Sequence, residues 1–295
     1  MLAEQTLMIA NRCNLKCTYC WYETGSADYA DALVTPGEYD AWLGECGRLA
    51  PVESVNFTGG EPLLREDFLD IFEVAKRHAR SLAVFTNGLR LTAPIVETLA
   101  GADCEIHVSL DHVSEHIGDR VRGGTAATLR ALDVLAEAGV GARAQVCVVV
   151  TSHNWRDLEA VVERVVAAGF RLELIPVAVP DVHPLSLLTL SDQERSELGE
   201  LLVRRRALLG RPLYYRRLEN WLATGVLKSV PTCAAADRGI FVDASGSVQV
   251  CAQRRKVSLG NIKTDAPASV MARKAEEVAR KRPGSCVSLD CLVVV

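Results

Sequence analysis

The sequence has little of what would direct a protein to a membrane, a secretory route or a nucleic acid. Its 295 residues carry a formal net charge of -4, which gives no electrostatic reason to expect a nucleic-acid partner. The first residues, MLAEQTLMIANRC, contain no basic stretch, and their apolar run is too short for a signal peptide or a membrane span. The chain also contains no internal repeat or low-complexity tract. These absences predict a cytoplasmic, globular protein without a membrane partner.

Cysteine, in contrast, is abundant, with ten residues along the chain. Disulfides are rare in the cytoplasm, so this number favours metal binding or catalysis over a disulfide framework. Cys13, Cys17 and Cys20 are spaced C-x3-C-x2-C in the segment RCNLKCTYCW, and no fourth cysteine stands beside them. From the residues alone, this group is a disulfide cluster, an incomplete zinc site, a set of buried thiols, or the ligand set of an iron–sulfur cluster with one open iron.

Strand-like and helix-like segments alternate over residues 5–180, where six apolar strand segments are separated by segments with helical spacing. Such alternation predicts a parallel sheet with crossover helices, in an open doubly wound form or a barrel. Residues 191–209 predict another helix, with Ser191 as its N-cap. The segment RGIFVDASGSVQVCA then predicts a β-hairpin, and a short helix is expected near 266–280.

The segment CNLKCTYC resembles the signature of the radical S-adenosylmethionine (SAM) superfamily. Four further segments strengthen the resemblance: TGGEPLL after the second strand, TNG after the third, HVSLDH at the end of the fourth, and VRGG after it. In that family three cysteines hold a [4Fe–4S] cluster whose open iron is chelated by the amino and carboxylate groups of SAM. Reduction by one electron then gives a 5′-deoxyadenosyl radical, which takes a hydrogen atom from the substrate. The resemblance implies a partial (β/α)6 TIM-like barrel and a flavodoxin- or ferredoxin-type electron donor.

The same resemblance implies which residues hold the cluster and SAM. Glu61 would pair with the methionine amine, and Arg122 would hold the methionine carboxylate. Tyr19 corresponds to an aromatic position near the adenine, while Gly59 and Gly60 would let the backbone approach a ligand closely. The implied cluster ligands are Cys13, Cys17 and Cys20, and the implied SAM contacts are Tyr19, Gly59, Gly60, Glu61, Asn87, Ser109, Asp111 and Arg122.

The C-terminal part holds four more cysteines, enough for a complete second cluster. The segment CAAADRGIFVDASGSVQVC resembles the start of a Twitch domain, the truncated form of the SPASM extension of this superfamily, which implies an auxiliary [4Fe–4S] cluster. The tail spacing C-x4-C departs from the commoner C-x2-C, and a structural zinc is the alternative. We expect a barrel over 1–185, a helical connection over 186–229 and the Twitch-type domain over 230–295. The four cysteines are Cys233, Cys251, Cys286 and Cys291.

Three cysteines remain, of which Cys46 and Cys104 are expected to pack in the core. Cys147 shares one face of the fifth strand with Val149, because side chains on a strand alternate between faces. That face is the more polar one and is expected to line the cavity, so Cys147 is either a catalytic thiol or a buried inert one. His107, on the corresponding face of the fourth strand, is either a substrate ligand or base, or a hydrogen-bonded core histidine.

The expected substrate is a cationic sugar. The first motif cysteine is residue 13, so we expect no leader-peptide-binding domain before the barrel. The ending CLVVV lacks the Gly-Gly tail of the relatives that make the molybdenum cofactor precursor. The resemblance therefore favours compact Twitch enzymes of aminoglycosides and aminocyclitols, such as neomycin epimerase and 2-deoxy-scyllo-inosamine dehydrogenase. The carboxylates proposed to bind such a sugar, if they are not simply surface charges, are Glu105, Glu173, Asp181 and Glu219.

The resulting hypothesis is epimerisation of an aminoglycoside-type intermediate. Epimerisation needs a hydrogen donor on the face opposite to abstraction, and a thiol suits this role because its S–H bond is weak. Cys147 is the first candidate donor and Cys251 the second. Oxidation by a dehydrogenase, modification of a peptide or protein, and a non-enzymatic zinc or iron–sulfur protein are the alternatives.

Overall fold

Six parallel strands alternate with helices in the first two thirds of the chain and lie side by side in the order β6-β5-β4-β3-β2-β1. This confirms the predicted α/β class and the six-strand alternation. The structure, a computed structural model, describes residues 2–20, 33–209, 212–226, 234–252 and 257–280. The strands are β1 (Glu4–Ala10), β2 (Val52–Gly59), β3 (Ala79–Thr86), β4 (Glu105–Ser109), β5 (Ala144–Val150) and β6 (Arg171–Pro176).

The two faces of these strands have different surroundings. On β5, Val146 and Val148 are fully buried at 0% exposure, as expected for β-branched residues packed beneath the helices. Cys147 and Val149 alternate with them and point to the opposite face. Val149 lines a pocket at the carboxyl end of the sheet, so this second face is the one that carries the site.

Helix ends agree with local sequence signals. Thr35 and Glu38 form a reciprocal capping box at the start of α1, and Ser191 forms another with Glu194 at the start of α7, which confirms Ser191 as an N-cap. The helices are α1 (Pro36–Leu49), α2 (Phe68–His78), α3 (Ala93–Gly101), α4 (Glu115–Val121), α5 (Thr125–Glu137), α6 (Leu158–Ala167), α7 (Asp192–Arg205), α8 (Pro212–Thr224), α9 (Ala234–Asp237) and α10 (Pro267–Arg280). None of them, within the described ranges, combines the length and apolar character needed to cross a membrane.

The predicted hairpin is present and extends the same sheet. Its strands β7 (Gly239–Val242) and β8 (Ser247–Gln249) pair antiparallel, and a third strand, β9 (Ser258–Asn261), pairs with β8. β7 runs parallel to β1, which gives one nine-stranded sheet. Cys251 follows β8, whereas the three other cysteines of the second group lie outside the described residues: Cys233, Cys286 and Cys291. The domain boundaries stay a prediction.

Candidate active site

The loop with the first three cysteines follows β1 at the carboxyl end of the sheet. Gly60 N–H donates to the carbonyl oxygen of Ala10 at 2.8 Å, and Glu61 N–H donates to that of Arg12 at 2.8 Å. The segment after β2 therefore holds the backbone of the cysteine loop directly.

Gly59 and Gly60 permit this close approach. A Cβ on Gly59 would lie 2.4 Å from the carbonyl oxygen of Ala10, and one on Gly60 would lie 2.2 Å from that of Arg12. From the sequence these glycines are expected to admit a ligand. In the structure both press against the cysteine loop, while also lining the pocket beside it. Their lack of a side chain thus permits the close approach between the two backbone segments.

A pocket of about 270 Å³ lies beside the loop. It brings together residues from the five segments that carry the motifs, as predicted, and residues from β5 and from the end of β6 complete its wall. Asp111 is not part of the pocket wall. The predicted residues that do line it are Cys13, Cys17, Tyr19, Cys20, Gly59, Gly60, Glu61, Asn87, Ser109 and Arg122.

Cys13 and Cys17 are partly buried, whereas Cys20 is exposed. Burial raises the pKa of Cys17 to about 11. Burial also raises the pKa of Cys13. Two N–H donors face the Cys13 sulfur, from Leu15 N at 3.4 Å and Asn87 Nδ2 at 3.8 Å. Such donors favour the thiolate, which is the form that binds iron. Metal binding to this loop must therefore displace protons.

Glu61 is buried, with 1% exposure. One of its carboxylate oxygens accepts hydrogen bonds from Thr86 Oγ1 at 2.7 Å and Leu63 N at 3.1 Å, and the other accepts one from Asn87 N at 2.7 Å. Burial raises the pKa of Glu61, although these hydrogen bonds oppose the shift. A carboxylate has about four acceptor sites, so one remains for a group in the pocket.

Arg122 and Asp111 form a bidentate ion pair behind the loop, with Nε–Oδ2 at 3.0 Å and Nη2–Oδ1 at 3.2 Å. The Tyr19 hydroxyl donates to Asp111 Oδ2, and the Arg122 guanidinium lies 5.6 Å from the centre of the Tyr19 ring. Val149 N–H donates to Asp111 Oδ1 at 2.9 Å. Asp111 thus uses both oxygens within the protein and positions Arg122 and Tyr19, which line the pocket.

Three of the carboxylates expected around a cationic sugar lie away from this pocket. Glu105 is at the start of β4, the end of the strand away from the cysteine loop, and pairs with Arg171 at 3.2 Å. Glu219, on α8, accepts two hydrogen bonds of 2.7 Å from Arg206. Asp181 is exposed in the loop after β6.

The fourth carboxylate, Glu173, lies beside His107 and Cys147 on three neighbouring strands. All three are buried. His107 and Cys147 share their strand faces with Ser109 and Val149, which line the pocket. The group is therefore one row of side chains deeper than the pocket wall.

Several residues of the site are not among those that the motifs assign a role. Thr86 belongs to the TNG segment, and it donates to Glu61 Oε1 at 2.7 Å. Asn154, with 1% exposure, donates from Nδ2 to the carbonyl oxygens of Asp111 and Val149 at 3.0 and 2.9 Å. The apolar part of the pocket wall includes Val149, on the β5 face that the sequence predicts to line the cavity. Its other members are not candidates from the sequence: Leu15, Phe85, Ile175, Pro176 and Ala178.

The residues present fit the expected cofactors. Three thiols at one pocket suit a [4Fe–4S] cluster with one iron open. In the same wall, Glu61 keeps acceptor capacity for an ammonium group. Arg122 donates from Nε and Nη2 to Asp111, and the other N–H groups of its guanidinium suit a carboxylate.

The comparison with protein families decides the assignment, because a model of the Radical SAM superfamily matches residues 7–165. The chain belongs to the radical SAM superfamily. It is therefore a radical SAM enzyme, of a family that uses a [4Fe–4S] cluster and SAM.

Two curated relatives of this radical SAM protein are informative. Mycofactocin maturase MftC of Mycobacterium ulcerans (strain Agy99) is 30% identical over 273 residues, which cover 86% of this chain and 69% of the relative. The probable GTP 3′,8-cyclase of Methanopyrus kandleri is 30% identical over 244 residues, which cover 79% of this chain and 76% of that protein. The chain thus spans about two thirds of the length of the maturase.

Solved structures share the fold at lower sequence identity. The anSMEcpe structure with bound AdoMet and Cp18Cys peptide has a TM-score of 0.70 and 20% identity, covering 92% of this chain and 82% of that one. BtrN in complex with AdoMet and 2-DOIA has a TM-score of 0.51 and 15% identity, covering 96% of this chain and 88% of that one. At these identities the likeness shows the radical SAM fold alone.

Proposed function

We propose that this radical SAM enzyme abstracts a hydrogen atom from a peptide substrate. One observation carries the proposal: among the described residues that line the pocket, Glu61 is the sole acidic side chain. A sugar with several ammonium groups needs several carboxylates, because each buried cation needs a partner. The apolar wall instead suits an uncharged group, such as a peptide backbone with an apolar side chain.

Different residues of the chain bind the different groups of the cofactor. When bound, the cluster and SAM supply a 5′-deoxyadenosyl radical that takes a hydrogen atom from a substrate carbon. Glu61 accepts an ammonium group at its remaining acceptor site, and Arg122 binds a carboxylate through its guanidinium. Tyr19 and Asp111 hold that guanidinium in place. The apolar wall excludes water, which strengthens both charged contacts.

Two similarities support a peptide over a sugar. The maturase of M. ulcerans is similar over most of this chain, and the anSMEcpe structure with a bound peptide has a higher TM-score than BtrN. Both concern other proteins, so the substrate class needs a direct experiment.

The experiment is turnover by the reconstituted enzyme with SAM and dithionite, without oxygen. One sample receives a digest of perdeuterated bacterial protein, and another receives an unlabelled mixture of neomycin and neamine. We expect 5′-deoxyadenosine to exceed the substrate-free background only with the peptides and to carry deuterium. Cys17→Ala should abolish the product, whereas Cys46→Ala, which removes a buried thiol of α1, should leave it. Turnover with the aminoglycosides alone would overturn the peptide proposal.

Epimerisation of an aminoglycoside-type sugar is the second candidate, and the position of Cys147 favours it. This thiol lies one row below the pocket wall, with 8% exposure. If Cys147 quenches a substrate radical, Cys147→Ala should still form 5′-deoxyadenosine but no epimer. Product formed in deuterium oxide should gain one deuterium at the inverted carbon. A ketone without solvent deuterium would indicate dehydrogenation, and unchanged epimerisation would transfer the test to Cys251.

A further inference from the structure

Three potential metal ligands meet inside the barrel, below the SAM pocket. They stand on the consecutive strands β4, β5 and β6. Cys147 pairs directly with Glu173 in the sheet register, and His107 pairs with Gln145, two residues before Cys147. His107, Cys147 and Glu173 are 9%, 8% and 4% exposed. The rigid sheet therefore presents an imidazole, a thiol and a carboxylate to one enclosed point.

The distances between these groups suit a single small cation. Cys147 Sγ lies 3.9 Å from His107 Nδ1 and 3.9 Å from Glu173 Oε2. All three ligand atoms lie within 4.8 Å of one another. Tetrahedral zinc, with bonds of about 2.0–2.3 Å, separates its ligand atoms by about 3.3–3.6 Å. The two distances from Cys147 Sγ need to shorten by a few tenths of an ångström to reach that geometry. The distance between the His107 and Glu173 ligand atoms needs to shorten somewhat more.

Neighbouring residues orient the imidazole. His107 Nε2 lies 3.3 Å from Glu105 Oε2, and Arg171 holds the same oxygen at 3.2 Å. With Nε2 donating to this carboxylate, Nδ1 carries the lone pair that faces Cys147. Phe85 stacks on the ring at 4.3 Å and fixes its plane.

The carboxylate is oriented in the same way. Gln145 Nε2 donates to Glu173 Oε2 at 2.9 Å. Zinc-binding histidines commonly donate their second ring nitrogen to a carboxylate, and zinc-binding carboxylates accept further hydrogen bonds. Both features surround this group.

We propose that His107, Cys147 and Glu173 bind one Zn²⁺ inside the barrel. Thiolate, imidazole and carboxylate are the ligand types that zinc takes in proteins. The thiolate and carboxylate together balance the charge of the ion. Three protein ligands leave one position for a non-protein ligand. The site goes beyond the proposed function and does not depend on it. A zinc-bound Cys147 has no S–H bond, so it is not the hydrogen donor of an epimerase.

The test is zinc binding by the full chain, measured without turnover. Zinc content is determined after dialysis against a weak chelator, and X-ray absorption at the zinc edge counts the sulfur ligands. We expect about one zinc per chain with one sulfur and nitrogen or oxygen ligands. Glu105→Gln should weaken zinc binding about ten- to a hundredfold. Cys147→Ser and Glu173→Gln should weaken it more, and Cys104→Ser, which alters a buried thiol beside β4, should leave it unchanged.

Cobalt provides an independent readout. Co²⁺ bound at this site should show a sulfur-to-metal charge-transfer band that is absent from Cys147→Ser and present in Cys104→Ser. Circular dichroism checks that each variant is folded, and the half-exposed Glu105 gives a variant that leaves the core intact. Absence of zinc would overturn the proposal. So would a zinc content that Cys147→Ser does not lower, because all the bound zinc would then be held by other cysteines.

Discussion

Asp111 gathers hydrogen bonds from several parts of the site. Its carboxylate is 1% exposed and accepts hydrogen bonds from the Arg122 guanidinium, the Tyr19 hydroxyl and the Val149 N–H. Its backbone carbonyl oxygen accepts one from Asn154 Nδ2 at 3.0 Å. A buried ion pair of this kind contributes little net stability relative to an apolar pair, but losing one partner leaves a buried, uncompensated charge.

Arg122→Met should therefore destabilise the protein by about 3–5 kcal/mol, as measured by urea unfolding of the iron-free chain. Tyr19→Phe removes one hydrogen bond of several and should cost about 1 kcal/mol. Arg120→Met, the same change at an exposed position of α4, is the control and should cost under about 0.5 kcal/mol. The double variant Arg122→Met/Asp111→Asn should be more stable than the sum of single effects implies. Equal stability of the Arg122 and Arg120 variants would show that the pair is not structural.

Glu61 gives a prediction about binding. An ammonium–carboxylate contact in a pocket poor in water contributes about 1.5–3 kcal/mol. Glu61→Gln should therefore weaken SAM binding at least about tenfold, measured by equilibrium dialysis of the reconstituted protein. Because burial raises the pKa of Glu61, the wild-type affinity should begin to fall at a pH above the usual carboxyl range as the pH is lowered. The Gln variant should lack this dependence.

Two controls separate charge from structure at this position. Glu66→Gln makes the same change at an exposed residue nearby and should not alter the affinity. Thr86→Val removes one hydrogen bond to Glu61 but keeps the charge of Glu61, so it should weaken SAM binding less than Glu61→Gln does. An unchanged affinity of Glu61→Gln would refute its assignment to the methionine amine.

Among the helices and strands, the sequence predicts those features that depend only on residues close together in the chain. The six barrel strands follow from short apolar runs, and Ser191 follows from its capping pattern. The pairing of β7 with β1 joins Glu4 to Gly239, and no local pattern encodes so distant a partner. The sequence of β9, SLGN, does not predict a strand, because it has one large apolar residue and a glycine. It is a strand because β8 supplies its hydrogen bonds.

The site divides in the same way. The cysteine loop, GGEP and VRGG are recognisable because their chemistry is fixed in short segments. The roles of Thr86 and Asn154 are not, because they arise from hydrogen bonds that only the folded chain creates. The role of Gly59 and Gly60 toward a ligand stays a prediction. Their close contact with the carbonyl groups of Ala10 and Arg12 is a further role, which only the three-dimensional packing shows.

This packing makes Gly60→Ala a sensitive test. The added methyl group would lie 2.2 Å from the Arg12 carbonyl oxygen, so the loop must move away and lose the hydrogen bond from Glu61 N. We expect iron bound after anaerobic reconstitution to fall by about half, one cluster of two, while the fold persists. Gly47→Ala, in α1, meets no atom within 4 Å and should be neutral or slightly stabilising. Full iron content in Gly60→Ala would show that the loop tolerates the displacement.

At the scale of the whole molecule, one continuous sheet connects the cysteine loop with Cys251, the member of the second cysteine group that lies within the described residues. β1 leads into the cysteine loop, and its neighbour β7 leads through β8 to Cys251. Ala252, next to Cys251, packs against a small apolar cluster of Met8, Phe241 and Ala244. The segment of Cys251 thus packs against β1, the strand that leads into the cysteine loop.

We expect two [4Fe–4S] clusters, and so about eight irons per chain after anaerobic reconstitution, together with the zinc inside the barrel. Cys17→Ala and Cys251→Ala should each lower the iron content by about four, because each removes a ligand of a different cluster. Cys251→Ala should leave the remaining cluster able to bind SAM, whereas Cys17→Ala should not. Cys104→Ser is the matched control and should keep all eight irons and the zinc. About four irons, accompanied by a zinc with four sulfur ligands that Cys251→Ala removes, would show that the second cysteine group is a structural zinc site. The zinc inside the barrel is distinguished from it by its single sulfur ligand, so each of the two metal sites is tested independently of the other.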